Sequence, residues 1–307
     1  MPELGYFLNI DKPAGITSRD VVNRVVKYVG TKRVGHAGTL DPMATGVLIV
    51  AINRATRLVE YVQQQQKTYD ATFLLGQSSD TDDIEGNVAH HSTLSEPTPA
   101  EVQQVLSSFQ GEIDQVPPQF SALKVQGRAA YNLARQGINV DLAPRRVRID
   151  SIVVQSYQYP ELRLTITCGS GTYIRSIARD LGQLLGTGGL MSQLRRSAIG
   201  AFHVDQAASL DHLDQAVRHS LGTAVVGYRG HMVDDEGEIR FHQGKIFTPL
   251  RGDNDSPASG SAIDAEIAVF NRMGHFLGMA KLISLEPVTY QPIKGGFTEP
   301  SRFSRDE

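Results

Sequence analysis

The sequence lacks the features that define several large classes of protein. It has one cysteine, Cys168, in 307 residues, which excludes an intramolecular disulfide framework and a cysteine-rich zinc site. No stretch approaches the roughly 18 consecutive apolar residues of a membrane-spanning helix. Residues 1–6 carry no basic segment followed by an apolar signal core. These absences predict a cytoplasmic protein in a reducing compartment, with no membrane partner.

The chain also lacks an overall basic charge, because its formal net charge is -3. The distribution differs from the total, since residues 121–200 hold eleven Lys and Arg against four Asp and Glu. Clustered cations are what binding to nucleic-acid phosphates requires. A solvated surface without a partner gives the same pattern, so the cluster needs a second signal before it indicates function.

Hydrophobic patterning predicts one large domain followed by a small one. Strands are expected at 5–10, 47–52, 69–75, 162–166 and 198–204, and helices at 17–30, 99–109, 129–135, 174–185 and 210–221. On the helix at 174–185, the apolar residues share one face, and Arg175 and Arg179 fall on the other side. The pattern predicts an α/β (α+β) domain over residues 1–223, with a mixed, largely antiparallel sheet flanked by helices.

The composition changes after residue 224, where the segments become short and strand-like. Residues 271–274 have the residues of a hairpin turn between strands at 267–270 and 276–282. We therefore expect a small β-rich domain over 224–290, interrupted by a loop at 251–261 that is rich in Asp, Ser, Gly and Pro. The tail at 291–307 has little apolar content and is predicted to be disordered.

One segment carries a chemical signal, the run RVGHAGTLDPMATGVL from Arg33 to Leu48. Its glycines permit backbone conformations that other residues avoid, and Pro42 restricts Asp41 to an extended geometry. Asp41 is thus expected on a rigid turn. Taken alone, an Asp-Pro pair is typical of a surface turn or a helix cap.

The whole segment closely resembles the signature of the TruB family of pseudouridine synthases, in which the aspartate before proline is the catalytic nucleophile. Further motifs resemble the family in the family's order over the first 200 or so residues: FLNIDKPAGITS, KTYDATFLLGQSSDTDD, PPQFSALKVQGRAAYNLARQG, SGTYIRSIARDLG and LRRSAIGAF. The C-terminal region resembles a small PUA-like domain only in outline. The resemblance implies the pseudouridine synthase fold and conversion of uridine 55 in the T-loop of tRNA to pseudouridine, with no cofactor and no metal.

The resemblance also implies catalytic roles for three residues. Asp41 matches the nucleophile, which attacks either C6 of the base or C1′ of the ribose, and both routes need an ionised carboxylate. Arg175 is expected to pair with Asp41 and to favour its charged form. Tyr69 matches the tyrosine that lies against the target base, where a flat aromatic face suits an extruded nucleotide.

Other positions match residues that contact the substrate in the family. His36 matches a loop histidine that helps to extrude the uridine by occupying its space, and Tyr173 and Leu194 match contacts to the flipped nucleotide. Lys12 in DKPAG is a weaker candidate of the same kind. Each of these residues would otherwise be read as a turn or packing residue.

The expected partner is the T-arm of tRNA, bound by a monomer. Flipping a base out of its stack costs a few kcal/mol, which contacts to phosphates help to offset. An insertion at about 117–140 resembles the family's RNA-gripping thumb. The candidate cations on and near it are Lys124, Arg128, Arg135, Arg145, Arg146, Arg148, Arg195 and Arg196.

Three alternatives differ in class. An aspartyl-phosphate enzyme would need magnesium ligands near its nucleophile, but Met43 stands two residues after Asp41 where a second carboxylate would help. A methyltransferase using Cys168 lacks a glycine-rich cofactor loop. A tRNA chaperone that binds RNA without chemistry stays open, and an activity measurement distinguishes it from an enzyme.

Overall fold

A computed structural model describes residues 5–92, 96–121, 123–125, 127–138, 140–250 and 263–297. The loop predicted at 251–261 lies outside them. The strands in chain order are β1 (Gly5–Lys12), β2 (Val34–Ala37), β3 (Thr45–Asn53), β4 (Lys67–Leu75), β5 (Gln77–Ser79), β6 (Val88–His90), β7 (Gly111–Gln115), β8 (Lys124–Val125), β9 (Arg128–Ala129), β10 (Arg145–Gln158), β11 (Glu161–Cys168), β12 (Gly189–Ile199), β13 (Phe202–His203), β14 (Ala208–Ser209), β15 (Arg218–His219), β16 (Gly230–Val233), β17 (Glu266–Asn271), β18 (Phe276–Leu285) and β19 (Val288–Lys294). The helices are α1 (Ser18–Val29), α2 (Val59–Gln64), α3 (Pro99–Ser107), α4 (Ala130–Ala134), α5 (Ile174–Leu184) and α6 (Asp235–His242).

Within the described ranges, eleven strands form one large sheet. Its central order is β14-β1-β3-β12-β4-β11-β10-β7, with β2 added to β3, β13 to β12 and β15 to β1. Two of its pairs are parallel, β1 with β14 and β3 with β12, and the others are antiparallel. The predicted mixed, largely antiparallel sheet with flanking helices is confirmed.

The first helix shows how local sequence fixes one side of the site. Thr17 caps α1 through a capping box with Asp20, and Gly30 ends the helix in the left-handed conformation (φ 71°), as glycine does readily. The Ser18 hydroxyl then accepts a hydrogen bond from the Leu40 amide (2.9 Å) and donates one to the Leu40 carbonyl (3.0 Å). The start of α1 therefore holds the loop that carries Asp41.

The centre of the sheet is the junction of β3 with β12. These strands pair only at Thr45–Gly46 and Arg195–Arg196. Gly46 has a φ of +99°, and a Cβ there would lie 2.2 Å from the Arg196 carbonyl oxygen. Only glycine permits this approach, so Gly46 sets how closely the Asp41 loop reaches β12.

Two predicted elements of the large domain differ from the structure, one in its bounds and one in its type. The strand expected at 198–204 is the end of a longer strand, β12, which stops at a turn at Gly200 (φ +50°) before the two-residue β13. The helix expected at 210–221 consists of 3₁₀ turns at Leu210–Gln215 and Leu221–Val225, separated by β15. His212 is not helical, and Arg218–His219 pairs with β1, because an available sheet edge outweighs helical spacing.

The C-terminal part forms a second, four-stranded sheet in the order β16-β17-β18-β19, including the predicted hairpin between β17 and β18. Within the tail predicted to be disordered at 291–307, β19 continues to Lys294 and Phe297 is buried, whereas 298–307 lie outside the described residues. Phe297 and Phe276 share an apolar cluster with Phe7 and Phe202 of the large sheet, so packing against the large domain orders residues with little apolar character of their own. Among the described residues, no helix is long and apolar enough to cross a membrane.

Candidate active site

A cleft of about 320 Å³ opens beside the centre of the large sheet. The loop before β3, strands β4 and β12, the first turn of α5 and the start of the insertion all contribute to its walls. The lining residues that the argument below uses are Asp41, Lys67, Tyr69, Phe120, Tyr173, Arg175, Leu194 and Arg196. The topology thus gathers residues from four separate sequence motifs around Asp41.

Asp41 and Arg175 form an ion pair at the floor of this cleft. The Arg175 Nε lies 3.0 Å from the Asp41 Oδ2. About a third of the Asp41 side chain (34%) is exposed, whereas the Arg175 side chain is 7% exposed. The expected pairing is therefore present, and it leaves part of the carboxylate open to the cleft while the arginine is enclosed by protein.

Three further groups hold the Arg175 guanidinium. Its Nη1 donates to the Thr81 carbonyl (2.9 Å) and lies 3.5 Å from the Asp83 carboxylate, and its Nη2 donates to the Phe120 carbonyl (3.1 Å). Asp83 is itself buried and accepts hydrogen bonds from the Thr81 hydroxyl and the Glu85 amide. A guanidinium with so many partners has one orientation, so it fixes the direction of the Asp41 carboxylate.

The surroundings of Asp41 alter its acidity in opposing ways. Burial raises the pKa of Asp41 above its ordinary value, and the neighbouring Asp83 carboxylate acts in the same direction. The Arg175 and Lys12 cations lower that pKa. A partly desolvated carboxylate is a stronger nucleophile than a hydrated one as long as a cation keeps it ionised, and this arrangement provides both conditions.

Lys12 lies beneath the Asp41 loop and does not face the cleft. Its side chain is fully buried, and its Nζ donates to the carbonyls of Pro13 (2.8 Å), Ile16 (2.8 Å) and Pro42 (3.1 Å). Burial lowers the pKa of Lys12 to about 8. With its donors occupied by backbone, Lys12 supports the residue that follows Asp41, in contrast to the substrate contact expected from the sequence.

Tyr69 and Leu194 form the wall of the cleft on β4 and β12. Tyr69 is 9% exposed and Leu194 is 9% exposed, so each presents only an edge to the cavity. Burial raises the pKa of the Tyr69 hydroxyl, against the effect of the nearby Arg196 guanidinium. The structure therefore places a neutral aromatic ring next to Asp41, in a position suited to contact a flat base.

Tyr173 and Lys67 complete the walls. Tyr173 is the residue immediately before α5 and is half-buried. Lys67 is buried, donates to the Gln63 and Gln65 carbonyls, and has its pKa lowered to about 8 by burial. Sequence reasoning identified Tyr173 but not Lys67, although both belong to motifs that it quoted.

The sequence predicted that His36 lies in a loop. The structure instead places it in β2, opposite Val50 of β3. It is half-buried, and burial together with the neighbouring Arg19 and Arg196 cations lowers its pKa. His36 is not among the residues that line the cleft. It stands two residues before the first lining position, Gly38.

The candidate phosphate-binding cations separate into two kinds. Arg196 is buried and donates to the Val47 (2.8 Å) and Gly38 (3.1 Å) carbonyls, and Arg195 forms a two-pronged pair with Asp11. Arg196 therefore departs from the expected exposed phosphate contact, whereas the Arg195 side chain is 41% exposed beside Asp11. In the insertion, Arg128 and Arg135 are exposed, and Lys124 belongs to β8. Arg145 is exposed as well, whereas Arg146 pairs with Glu112 and Arg148 with Asp150.

A wider groove of about 1040 Å³ adjoins the cleft at Leu194. It is lined by polar residues of the sheet, among them Asp70, Gln155 and Arg163, but by none of the Asp41, Tyr69 and Arg175 set. The smaller cleft is therefore the candidate active site, because among the described residues it combines a fixed carboxylate, an aromatic wall and space for one planar ring. Such an arrangement can support nucleophilic attack on a flat heterocycle.

Comparison with solved structures identifies the fold. The chain superposes with a TM-score of 0.72 on a protein in the crystal structure of a Cbf5-Nop10-Gar1 complex, at 23% identity, covering 96% of this chain and 85% of that one. A chain in the structure of an H/ACA RNP bound to a substrate RNA containing 2'-deoxyuridine matches equally well, with a TM-score of 0.72, 22% identity and coverage of 96% and 86%. At this identity the likeness shows a shared fold.

Sequence comparison is more specific. Residues 26–174 match the family model for the N-terminal domain of the TruB family pseudouridylate synthases, and residues 175–225 match that for the tRNA pseudouridylate synthase B C-terminal domain. A protein from Mycobacterium sp. (strain KMS) called tRNA pseudouridine synthase B is 47% identical over 226 residues, 72% of this chain and 76% of that protein. One of the same name from Arthrobacter sp. (strain FB24) is 41% identical over 274 residues, 84% and 89% of the two chains. This chain belongs to the TruB family of pseudouridylate synthases.

Asp83 is the main site residue that sequence reasoning missed. It lies in the acidic turn after β5, where four carboxylates in six residues suggest a solvated loop or a cation site. The structure buries Asp83 to 4% exposure against Arg175. The available signal was its position within the quoted motif KTYDATFLLGQSSDTDD, because nothing in the local composition distinguishes Asp83 from the exposed Asp80.

Proposed function

We propose that this chain converts uridine 55 in the T-loop of tRNA to pseudouridine, with Asp41 as the nucleophile and no cofactor. Membership of the TruB family supports the class of reaction, and the name shared by its relatives supports tRNA as the substrate. The observation that carries the proposal is the Asp41 carboxylate, 3.0 Å from a buried Arg175 and beside Tyr69 in a cleft sized for one base.

The reaction needs only groups that this site can supply. The bond from C1′ to N1 breaks, the base turns, and a bond forms between C1′ and C5; the C5 proton leaves and N1 gains a proton. Asp41 opens the path by adding to C6 or to C1′, and it departs at the end. Arg175 keeps the carboxylate ionised and aimed, and Tyr69 faces the extruded base.

We assign the binding of RNA phosphates to exposed cations and not to the buried cations of the cleft. Residues 1–223 would act as the catalytic domain, with the insertion at about 117–140 gripping the T-arm of tRNA through Arg128 and Arg135. Such phosphate contacts offset the cost of flipping the uridine. The C-terminal domain over 224–290 would then serve mainly to complete the shared apolar core.

The decisive experiment measures tritium release from tRNA labelled at uridine C5, together with tRNA binding, for the wild type, Asp41→Asn and Asp211→Asn. Asp211 is an exposed carboxylate that pairs with Arg24 and is not among the residues that line the cleft, so it serves as the matched control. We expect release by the wild type and by Asp211→Asn, none by Asp41→Asn, and equal binding by all three. A transcript with cytidine at position 55 should release nothing.

Tight tRNA binding without release by the wild type would contradict the proposal and favour a chaperone. Release from the cytidine 55 transcript would keep the chemistry but reject the position. Release by Asp41→Asn at the wild-type rate would assign the nucleophile elsewhere.

A further inference from the structure

The N-terminal end of α5 is stabilised by a residue outside the helix. Tyr173 is the residue before its first turn, and its side chain makes no capping hydrogen bond. Helix ends leave backbone donors and acceptors that need partners. Because Tyr173 lines the cleft and Arg175 lies two residues later, whatever holds this helix end also holds the catalytic groups.

Gln115, the last residue of β7, supplies that hold. Its side chain is buried, with the residue 2% exposed. The amide nitrogen donates to the Tyr173 carbonyl (3.1 Å), and the amide oxygen accepts from the Tyr173 N–H (2.8 Å). A carboxamide matches a peptide group in this way because it has one donor side and one acceptor side. One side chain therefore fixes the whole backbone of Tyr173.

The residues that follow Gln115 are bonded to the same helix. The Val116 carbonyl accepts from the Ser176 hydroxyl (2.9 Å) and from Arg179 (2.8 Å), and the Phe120 carbonyl accepts from Arg175 (3.1 Å). The segment 115–120 is thus bonded to the first turn of α5 and to Arg179, one turn later. This segment is also the root from which the insertion at about 117–140 grows.

A second glutamine, Gln119, joins the two ends of the insertion. The Gln119 amide donates to the Val140 carbonyl (2.8 Å) and accepts from the Val140 N–H (3.1 Å). It makes the same pair of bonds as Gln115, but it joins the two ends of the insertion to each other and does not contact α5. The two glutamines are therefore matched in chemistry and differ in what they hold.

We propose that Gln115 is a positioning residue, which couples the root of the RNA-gripping insertion to Tyr173 and, through the first turn of α5, to Arg175 and Asp41. The inference rests on the proposed function. Its consequence is that an insertion seated on RNA aligns the catalytic pair, whereas Gln119 affects only how well the insertion grips.

The test compares Gln115→Ala with Gln119→Ala by single-turnover kinetics, with enzyme in excess over tritium-labelled tRNA, and by separate measurement of tRNA binding. Misplacing a reacting group by about 1 Å costs roughly 100-fold in rate. For Gln115→Ala we expect the saturating rate constant to fall by roughly 10- to 100-fold, with binding within about two-fold. For Gln119→Ala we expect weaker binding and an unchanged saturating rate constant.

A pH profile separates positioning from a general loss of packing. In Gln115→Glu, a protonated carboxylic acid replaces both bonds of the carboxamide, whereas an ionised one repels the Tyr173 carbonyl. The rate of Gln115→Glu relative to wild type should therefore rise as pH falls. The same ratio for Gln115→Leu, which can form neither bond at any pH, should stay flat.

Four outcomes are informative. A fall in rate confined to Gln115 variants, with partial recovery of Gln115→Glu at low pH, supports the coupling. Equal effects of the two alanine variants on rate, or a flat ratio for Gln115→Glu, would overturn it while leaving the proposed function intact. No turnover by the wild type would instead reject the proposed function.

Discussion

Two sets of cations in this protein come from the same kind of sequence and have opposite environments. The cleft set is buried and consists of Lys67, Arg175 and Arg196 on the cleft walls, with Lys12 beneath the Asp41 loop. The insertion set, which is Arg128 and Arg135, is exposed. Every member of the cleft set donates to backbone carbonyls. A buried cation without such partners would be too costly to keep, so these carbonyls are what permit positive charge under Asp41.

The comparison teaches that a basic segment is not one functional unit. Cations in the cleft set are enclosed by protein, where Arg175 and Lys12 act on Asp41 and Arg196 acts on Tyr69. Cations in the insertion set are exposed, which makes them accessible to phosphates. The first set should govern stability and chemistry, and the second should govern affinity and its dependence on salt.

The largest effect is expected at Arg175, which contributes to both the stability and the chemistry. In Arg175→Gln, both Asp41 and Asp83 lose their cation, and breaking a buried pair in this way costs about 3–5 kcal/mol. Activity should fall by roughly 100-fold or more. Because a cation that lowers the pKa of Asp41 is removed, that pKa rises further and the acid limb of the pH-rate profile moves to higher pH. Denaturant unfolding and tritium release at several pH values measure these changes.

Arg179→Gln is the matched control for that prediction. Arg179 lies one turn later on α5 and pairs with Asp82 and Asp180, not with Asp41. It should lose some stability but keep the position of the acid limb. An identical shift of the limb in both variants would mean that α5 as a whole, and not the Arg175 guanidinium, sets the acidity of Asp41.

The next largest effect is expected when substitutions in the two sets are compared. Arg196→Met leaves the Val47 and Gly38 carbonyls without donors, at about 1–3 kcal/mol for each buried group, and should not change the salt dependence of tRNA binding. Arg128→Gln and Arg135→Gln should leave stability within about 0.5 kcal/mol and each reduce the slope of log affinity against log salt by about 0.7–0.9. Thermal unfolding and salt titrations of binding check both halves. A smaller slope for Arg196→Met would erase the distinction between the sets.

How well the sequence predicts each element depends on how far apart in the sequence the interacting residues are. The helix at 17–30, the hairpin at 271–274 and the strands at 47–52 and 69–75 depend on local patterns, and the structure confirms them. The helix expected at 210–221 failed because β1 offers Arg218–His219 a strand partner, which is a contact over 200 residues. The burial of Phe297 depends in the same way on a distant core.

The candidate site divides along the same line. The motif around Asp41 indicates a reactive carboxylate, and family resemblance adds Arg175 and Tyr69. The sequence does not predict which of these side chains are buried. Arg195 and Arg196 are adjacent and chemically identical, yet Arg195 pairs with Asp11 near the surface, whereas Arg196 is enclosed under Tyr69. Alternation along β12 sends the two side chains to opposite faces of the sheet, and only the fold decides which face holds the cleft.

The smallest effect, and the one that tests the cost of keeping charge in the cleft, is the stability of Asp41→Asn. Burial raises the pKa of Asp41 in the folded protein, so ionisation favours the unfolded chain as pH rises through the interval between the unfolded and folded values. At neutral pH the asparagine variant, which cannot ionise, should be more stable than wild type. The difference should shrink as pH falls below the folded pKa, because the wild-type carboxyl is then neutral. Denaturant unfolding of both proteins between pH 7.5 and 4.5 measures it, and a variant less stable than wild type at neutral pH would show that the pairing with Arg175 outweighs the burial of Asp41.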